Sequence, residues 1–209
     1  MPACKVCLAD GCVSVPSGRG RTFQHCPGCG LIFVPEDEWL SPEAERARYD
    51  THNNTVENAG YAKFLGEVVT QVSALSPRPA RILDFGCGEN AVMTGLLTTA
   101  GFSCAGYDPV YADRVDRSGC YDLVILCEVI EHLRDLRGEC LRLREFLGEG
   151  SRVLIRTRLY PTPEGICNWW YSRDKTHINF LAERTFATVA GLLGKTTVAK
   201  LADDMFLLG

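Results

Sequence analysis

The chain has 209 residues, enough for one large domain or a domain with a small appended module. Its 46% hydrophobic and 23% charged residues are those of an ordinary globular protein, and no apolar run reaches the roughly 18 residues that span a bilayer. The formal net charge of −4 sets up no global basic field of the kind that nucleic-acid binders carry.

The N-terminus lacks a basic start, an apolar stretch and a small-residue cleavage site, so no signal peptide is expected. Eleven cysteines in a secreted chain would suggest disulfides. Here four of them form two C-x-x-C pairs and the rest are scattered, which fits a metal site in a reducing, cytoplasmic setting. Cys4, Cys7, Cys26 and Cys29 give C-x2-C-x18-C-x2-C. Each pair can curl around one cation, with Gly28 and Gly30 supplying permissive backbone, and four thiolates leave no open position for water. A structural zinc ion is expected, with a rubredoxin-like iron as the alternative. Cys12 and His25 read as neighbours of the site. The flanks "GCVSVPS", "TFQHC" and "LIFV" predict short strands, so residues 1–35 read as a zinc ribbon. Lys5, Arg19 and Arg21 make this end weakly basic against the acidic stretch from Glu36 to Glu67.

Residues 36–78 read as a helical linker. Tyr49, His52, Asn53, Asn54 and Tyr61 are dense in hydrogen-bonding groups, and "YAKFLGEVVTQVSAL" has helical spacing. A lid over a ligand and a plain connecting helix are both compatible with this stretch.

From residue 79 onward strand and helix alternate. "ARILDFGCG" reads as a strand ending in glycines, and "AVMTGLLTTAG" as a helix stopped at Gly101. "FSCAGYD" is the next strand, and "YDLVILCEVIEHL" a buried strand running into a helix. "GECLRLREFLGEG" reads as a helix with a glycine exit and "SRVLIRT" as another strand. The pattern predicts an α/β, doubly wound, Rossmann-like sheet with its ligand at the carboxyl ends of the strands, where Gly86, Asp108 and Glu128 fall. Cys87 lies in the glycine turn, away from the metal site. "GCGENA" formally matches a dinucleotide pattern, but Asp84 would repel a pyrophosphate two residues before Gly86. S-adenosylmethionine carries no phosphate and brings an ammonium and a sulfonium, so an acid is welcome there.

"LDFGCGEN", "GYDP" and "YDLVILCEVIEHL" resemble the glycine loop, the acidic ribose-binding strand end and the fourth-strand segment of class I S-adenosylmethionine-dependent methyltransferases. The resemblance covers residues 80–160. It implies that Asp84, Phe85, Gly86 and Gly88 line the methionine side of the cofactor. Asp108 and Pro109 would flank the ribose and adenine, and Cys127, Glu128 and His132 the fourth-strand end. Between Asp108 and Tyr121 there is little room for a full helix and strand, so the adenine-side element is expected to be trimmed. The whole chain is similar to bacterial methyltransferase-like proteins that join a zinc ribbon to this core and carry a W-W-Y…D-x-T-H segment. Here that segment holds Trp169, Trp170 and Tyr171, which can stack a substrate or fill the core, and then Asp174 and His177. If helical, Asp174 lies one turn from His177 and can orient it as a general base. "TTVAKLADD" and "MFLLG" would end the sheet with antiparallel strands. The resemblance implies a methyltransferase of small molecules or metabolites. The alternatives are an RNA methyltransferase that grips nucleic acid with its ribbon, and a non-catalytic cofactor-binding scaffold.

Overall fold

A computed structural model describes residues 2–18, 20–51, 53–113 and 119–209; for Ala112 and Asp113 it describes the backbone alone. Arg19 and His52 lie outside the described residues, as do residues 114–118 of the short connection after Asp108. Among the described residues no helix is long and apolar enough to cross a membrane, and no disulfide links the cysteines.

The chain builds two sheets. The first begins with β1 (Val13–Gly18), β2 (Arg21–His25) and β3 (Ile32–Phe33), each antiparallel to the one before. Helices α1 (Pro42–Tyr49) and α2 (Ala59–Leu75) follow. The Asn58 side chain accepts from Tyr61 N and starts α2, which buries Leu65, Val68 and Val72 along one stripe.

The larger sheet alternates strand and helix: β4 (Arg81–Phe85), α3 (Val92–Thr99), β5 (Ser103–Asp108), the two-residue β6 (Ala112–Asp113), β7 (Tyr121–Cys127), α4 (Leu136–Leu143) and β8 (Leu147–Arg156). Then come β9 (Asn179–Phe180), α5 (Thr185–Leu192), β10 (Val198–Ala202) and β11 (Met205–Leu208). Seven strands lie in the order β10-β11-β8-β7-β4-β5-β6. The central four, β5, β4, β7 and β8, are parallel; at the edges β6 pairs antiparallel with β5, β11 with β8, and β10 with β11. The predicted α/β class and the antiparallel end of the sheet are both present.

Alternation along the central strands separates two apolar layers. Ile82, Leu123 and Ile125 pack with Leu65, Val68, Val72, Met93 and Leu97 of α2 and α3. Leu83, Val124 and Leu126 face the other way, into a layer with Leu136 and Cys140 of α4 and Phe186 and Val189 of α5. Cys4, Val6, Cys26, Cys29 and Leu31 belong to that second layer. The cysteine-bearing end is therefore packed into the main core, and its sheet takes a fourth strand from far along the chain, β9 pairing with β3.

Three local expectations are corrected. After β7 the chain makes a single 3-10 turn, Ile130–His132, and α4 starts only where the Asp135 side chain accepts from Gly138 N. Gly148 and Gly150 do not end a helix; they lie in β8, whose first residue pairs with Tyr121. Asp174 and His177 are not on a helix: a 3-10 turn, Tyr171–Arg173, ends before them.

The basic character of the N-terminal end is also spent internally. Arg21 is 7% exposed; its guanidinium donates to the backbone carbonyls of Ser172 (2.7 Å), Asp174 (2.8 Å) and His177 (2.6 Å). The Lys5 ammonium lies 4.8 Å from the Trp39 ring centre and has no hydrogen-bond partner among the described residues, and burial pulls its pKa down to about 8. Arg21→Ala removes three charge-assisted bonds that tie β2 to residues 172–177. It should lower stability by about 3 kcal/mol, read as a fall in the urea midpoint, with Arg21→Lys recovering only part because an ammonium lacks the planar fork.

Candidate active site and cysteine cluster

β4 ends in a turn that the glycines shape. Gly86 has φ +79, and a Cβ there would lie 2.4 Å from the Val129 side chain, so only glycine lets the turn meet the loop after β7. Gly86 N and Cys87 N both donate to Tyr107 O, at 2.7 and 3.1 Å, which ties the turn to the end of β5. There Asp108 accepts from Gly88 N (3.0 Å), Val110 N (2.8 Å) and Tyr111 N (3.2 Å). These backbone donors fix the carboxylate at the mouth of a cavity of about 980 Å³. Each carboxylate oxygen can accept twice; Oδ1 is filled by Val110 N and Tyr111 N, and one position on Oδ2 remains for a ligand.

Of the cofactor residues expected from the sequence, Phe85, Gly86, Gly88, Asp108, Pro109, Cys127, Glu128 and His132 all line this cavity, and His177 joins them. Asp84 does not. It is 2% exposed, accepts from Thr94 Oγ1 at 2.7 Å, and is pushed up to about 6 by burial. Its carboxyl sits behind the glycine turn against α3. Of the stretch 42–61, Tyr49, Asp50, Asn54 and Tyr61 line the cavity. Asp50 accepts from Tyr111 OH at 2.7 Å and Asn54 O accepts from Asn90 Nδ2 at 3.2 Å, so this stretch is held beside both the Asp108 loop and the glycine turn.

The far wall is a buried polar cluster. Glu128, at the end of β7, has φ +54, uncommon for a residue with a Cβ. The Tyr171 hydroxyl lies 3.0 Å from Glu128 Oε2 and 2.5 Å from Glu131 Oε1, and Thr157 Oγ1 donates to Glu131 Oε2 at 2.9 Å. Burial pushes both carboxyls well above the usual range, and the negative charge of Glu131 raises Glu128 further.

His177 differs from its predicted arrangement. Its Nδ1 is 2.8 Å from Tyr171 O, and Asp174 is not its partner. The Asp174 carboxylate accepts from Thr176 N, Thr176 Oγ1 and Arg48 Nη2; although burial opposes it, these bonds hold its pKa below the usual range. Asp174 lines a second cavity of about 670 Å³, with Arg48, Trp170 and Lys175, and among the described residues only His177 faces both cavities. Burial and the nearby His132 pull His177 down to about 3, so it is neutral at ordinary pH and a weak base. From the sequence, Glu131 falls only within the stretch expected to run from strand into helix, and Tyr171 is a residue that stacks a substrate or fills the core. The structure makes both parts of the hydrogen-bonded cluster. The E-x-x-E-H spacing from Glu128 to His132 was the signal available.

The four paired cysteines converge. Cys4 and Cys29 Sγ are 3.6 Å apart, as are Cys7 and Cys26 Sγ, and all four atoms lie within 4.8 Å of one another. Tetrahedral zinc with bonds of about 2.3 Å requires sulfur–sulfur edges of about 3.8 Å, so the cluster is consistent with a zinc site. Cys12 stays outside it, and His25 Nε2 faces Arg184 Nη2 at 3.4 Å.

No curated protein matches the chain. Among solved structures, an O-methyltransferase family protein from Burkholderia thailandensis aligns at TM-score 0.55 and 14% identity, over 78% of this chain and 61% of that one. The PH0226 protein of Pyrococcus horikoshii aligns at 0.54 and 14% identity, over 78% and 96%. The mitomycin 7-O-methyltransferase MmcR aligns at 0.53 and 15% identity, over 78% and 59%. This chain thus spans about three fifths of the length of the two O-methyltransferases, and at such identities the likeness is one of fold. Residues 58–199 match the model of the methyltransferase domain, a segment that holds the glycine turn, Asp108 and the Glu128–His177 wall and leaves out the cysteine pairs. On that match the chain belongs to the S-adenosylmethionine-dependent methyltransferase family.

Proposed function

We propose that the cavity binds S-adenosylmethionine and that the chain transfers its methyl group to a small-molecule acceptor. The observation that carries the reading is Asp108, a carboxylate fixed by three backbone donors at the end of β5, with one acceptor position, on Oδ2, left for a ribose hydroxyl. In this reading the methionine part lies along Phe85, Gly86 and Gly88, where no side chain intrudes at Gly88. Pro109 flanks the adenine, and Cys127, Glu128 and His132 face the sulfonium and the acceptor. Tyr49 and Tyr61 cover the donor from the 42–61 stretch. Methyl transfer needs the acceptor's lone pair in line with the sulfonium, and holding the two in register supplies much of the rate. Two structural neighbours are named as O-methyltransferases, which agrees with an oxygen acceptor but fixes none. An RNA acceptor gripped by the cysteine-bearing end has less support: Arg21 and Lys5 are turned inward.

We further propose that the four thiolates of Cys4, Cys7, Cys26 and Cys29 hold one structural zinc ion. Its role is to fix the two knuckles that pack on the core, away from the methyl donor.

Two measurements check these readings. Asp108→Ala should weaken S-adenosylmethionine binding at least about tenfold in calorimetry, since each bond to a charged group is worth roughly 1.5–3 kcal/mol. Unchanged affinity, or a parent that prefers a nicotinamide dinucleotide, would remove the donor assignment. Elemental analysis should find zinc in the purified chain, and Cys4→Ser should lose it together with part of the thermal stability. A Cys4→Ser chain with unchanged zinc content would refute the thiolate site.

A further inference from the structure

Beside the donor cavity a second group of metal-ligand types converges. One carboxylate oxygen of Glu131 and one ring nitrogen each of His132 and His177 lie within 4.8 Å of one another. Glu131 Oε1 is 3.9 Å from His132 Nε2, and the two imidazole ring centres are 4.7 Å apart. The tautomers are forced by their surroundings. His132 Nδ1 faces Thr176 O at 3.1 Å and His177 Nδ1 faces Tyr171 O at 2.8 Å. A carbonyl only accepts, so each Nδ1 carries the proton and each Nε2 presents a bare lone pair. The group is thus a set of acceptors pressed together.

Among the described residues, two side-chain hydroxyls donate to this group: that of Thr157, which is on Glu131 Oε2, and that of Tyr171, whose single proton is shared between Glu131 Oε1 and Glu128 Oε2. Glu128 Oε1 is buried and has no hydrogen-bond partner among the described residues. A proton trapped between the carboxyls would answer the charge of that pair and leave both imidazole lone pairs unanswered. A divalent cation answers all of them. Imidazoles whose far nitrogen donates to a backbone carbonyl are the usual way a protein fixes histidine for a metal.

We propose that Glu131, His132 and His177 form a binding site for one divalent first-row transition-metal ion, separate from the cysteine cluster. Two imidazoles and one carboxylate suit such an ion better than magnesium or calcium. Bonds of about 2.1 Å require the three ligand atoms to draw together slightly from their present separation, and side-chain rotation supplies that movement. Three protein ligands leave positions open, and His132, His177 and Glu128 all line the donor cavity, so those positions face it. Resting on the methyltransferase reading, this deepens it. The ion would bind an acceptor oxygen and make its hydroxyl easier to deprotonate, which selects hydroxyl-bearing acceptors.

The test titrates the full chain, with its cysteine site loaded as purified, with Co²⁺ alone. The expected result is one added equivalent giving weak d–d bands with no new thiolate-to-cobalt charge transfer. The Nδ1 protons of His132 and His177, shielded by their carbonyl partners, should show hyperfine-shifted NMR signals in the parent protein. His132→Ala and His177→Ala should each weaken Co²⁺ binding at least tenfold; the parent spectra stand on their own if a variant fails to fold. Appearance of thiolate bands only, absence of any shifted histidine signal, or equal Co²⁺ affinity in parent and folded variants would overturn the site. Donor binding to the parent is measured in parallel by calorimetry. A chain that binds S-adenosylmethionine but not Co²⁺ loses the metal site and keeps the methyltransferase reading. A chain that binds Co²⁺ but not the donor keeps the metal site and loses that reading.

Discussion

The pairing of β3 with β9 is the constraint on which the candidate site depends. It brings residues 178–180 across the molecule to the cysteine-bearing sheet, with Val34 N donating to Ile178 O at 3.0 Å. The same short segment is gripped from the other side. Ile178 N donates to Glu131 O at 2.8 Å, and Asn179 Nδ2 donates to Ile130 O and Leu133 O. Arg21 then fixes the approach from Ser172 to His177. Each of these bonds reaches a different part of the chain, so the segment that carries Tyr171 and His177 has little freedom to move without breaking several bonds at once.

The cysteine cluster takes on a second meaning in that frame. Thr185 Oγ1 donates to Cys29 O, Tyr160 OH to Gly30 O, and Arg137 Nη1 to Val6 O. The knuckles are thus held by residues that follow β7 and β8. Their sulfurs are far in sequence from the donor cavity, yet the backbone they organise leads through β2 and β3 to its wall. The first sheet acts as a brace for one side of the cavity, and the glycine turn and Asp108 make the other side from the central strands alone.

What could be read in the sequence follows from how local the signals are. The C-x2-C pairs, the strand ending in "DFGCG" and the alternation of strand and helix are short-range patterns, and the fold class, the convergence of the four thiols and the glycine turn follow from them. The fate of Asp84 was not legible, because its partner Thr94 lies in the next helix and burial at that point depends on how α3 docks. The partners of Asp174 and His177 were misread for the same reason: spacing suggested a helical pair, and the tertiary contacts of Arg48 and the Tyr171 carbonyl won instead. β9 is two residues long and α5 went unanticipated; only a partner strand 146 residues earlier in the chain, Phe33 to Asn179, shows what β9 is for.

The central claim is that the cysteine-bearing sheet braces the wall of the cavity that carries His177. Hydrogen exchange on the full chain, comparing the parent with Cys4→Ser, tests it most directly. The account predicts faster exchange in Cys4→Ser at the amides of residues 171–180 together with β2 and β3, while the amides of β4, β7 and β8 keep their protection. Parent-like protection at residues 171–180 in a variant whose β2 and β3 have loosened would contradict it.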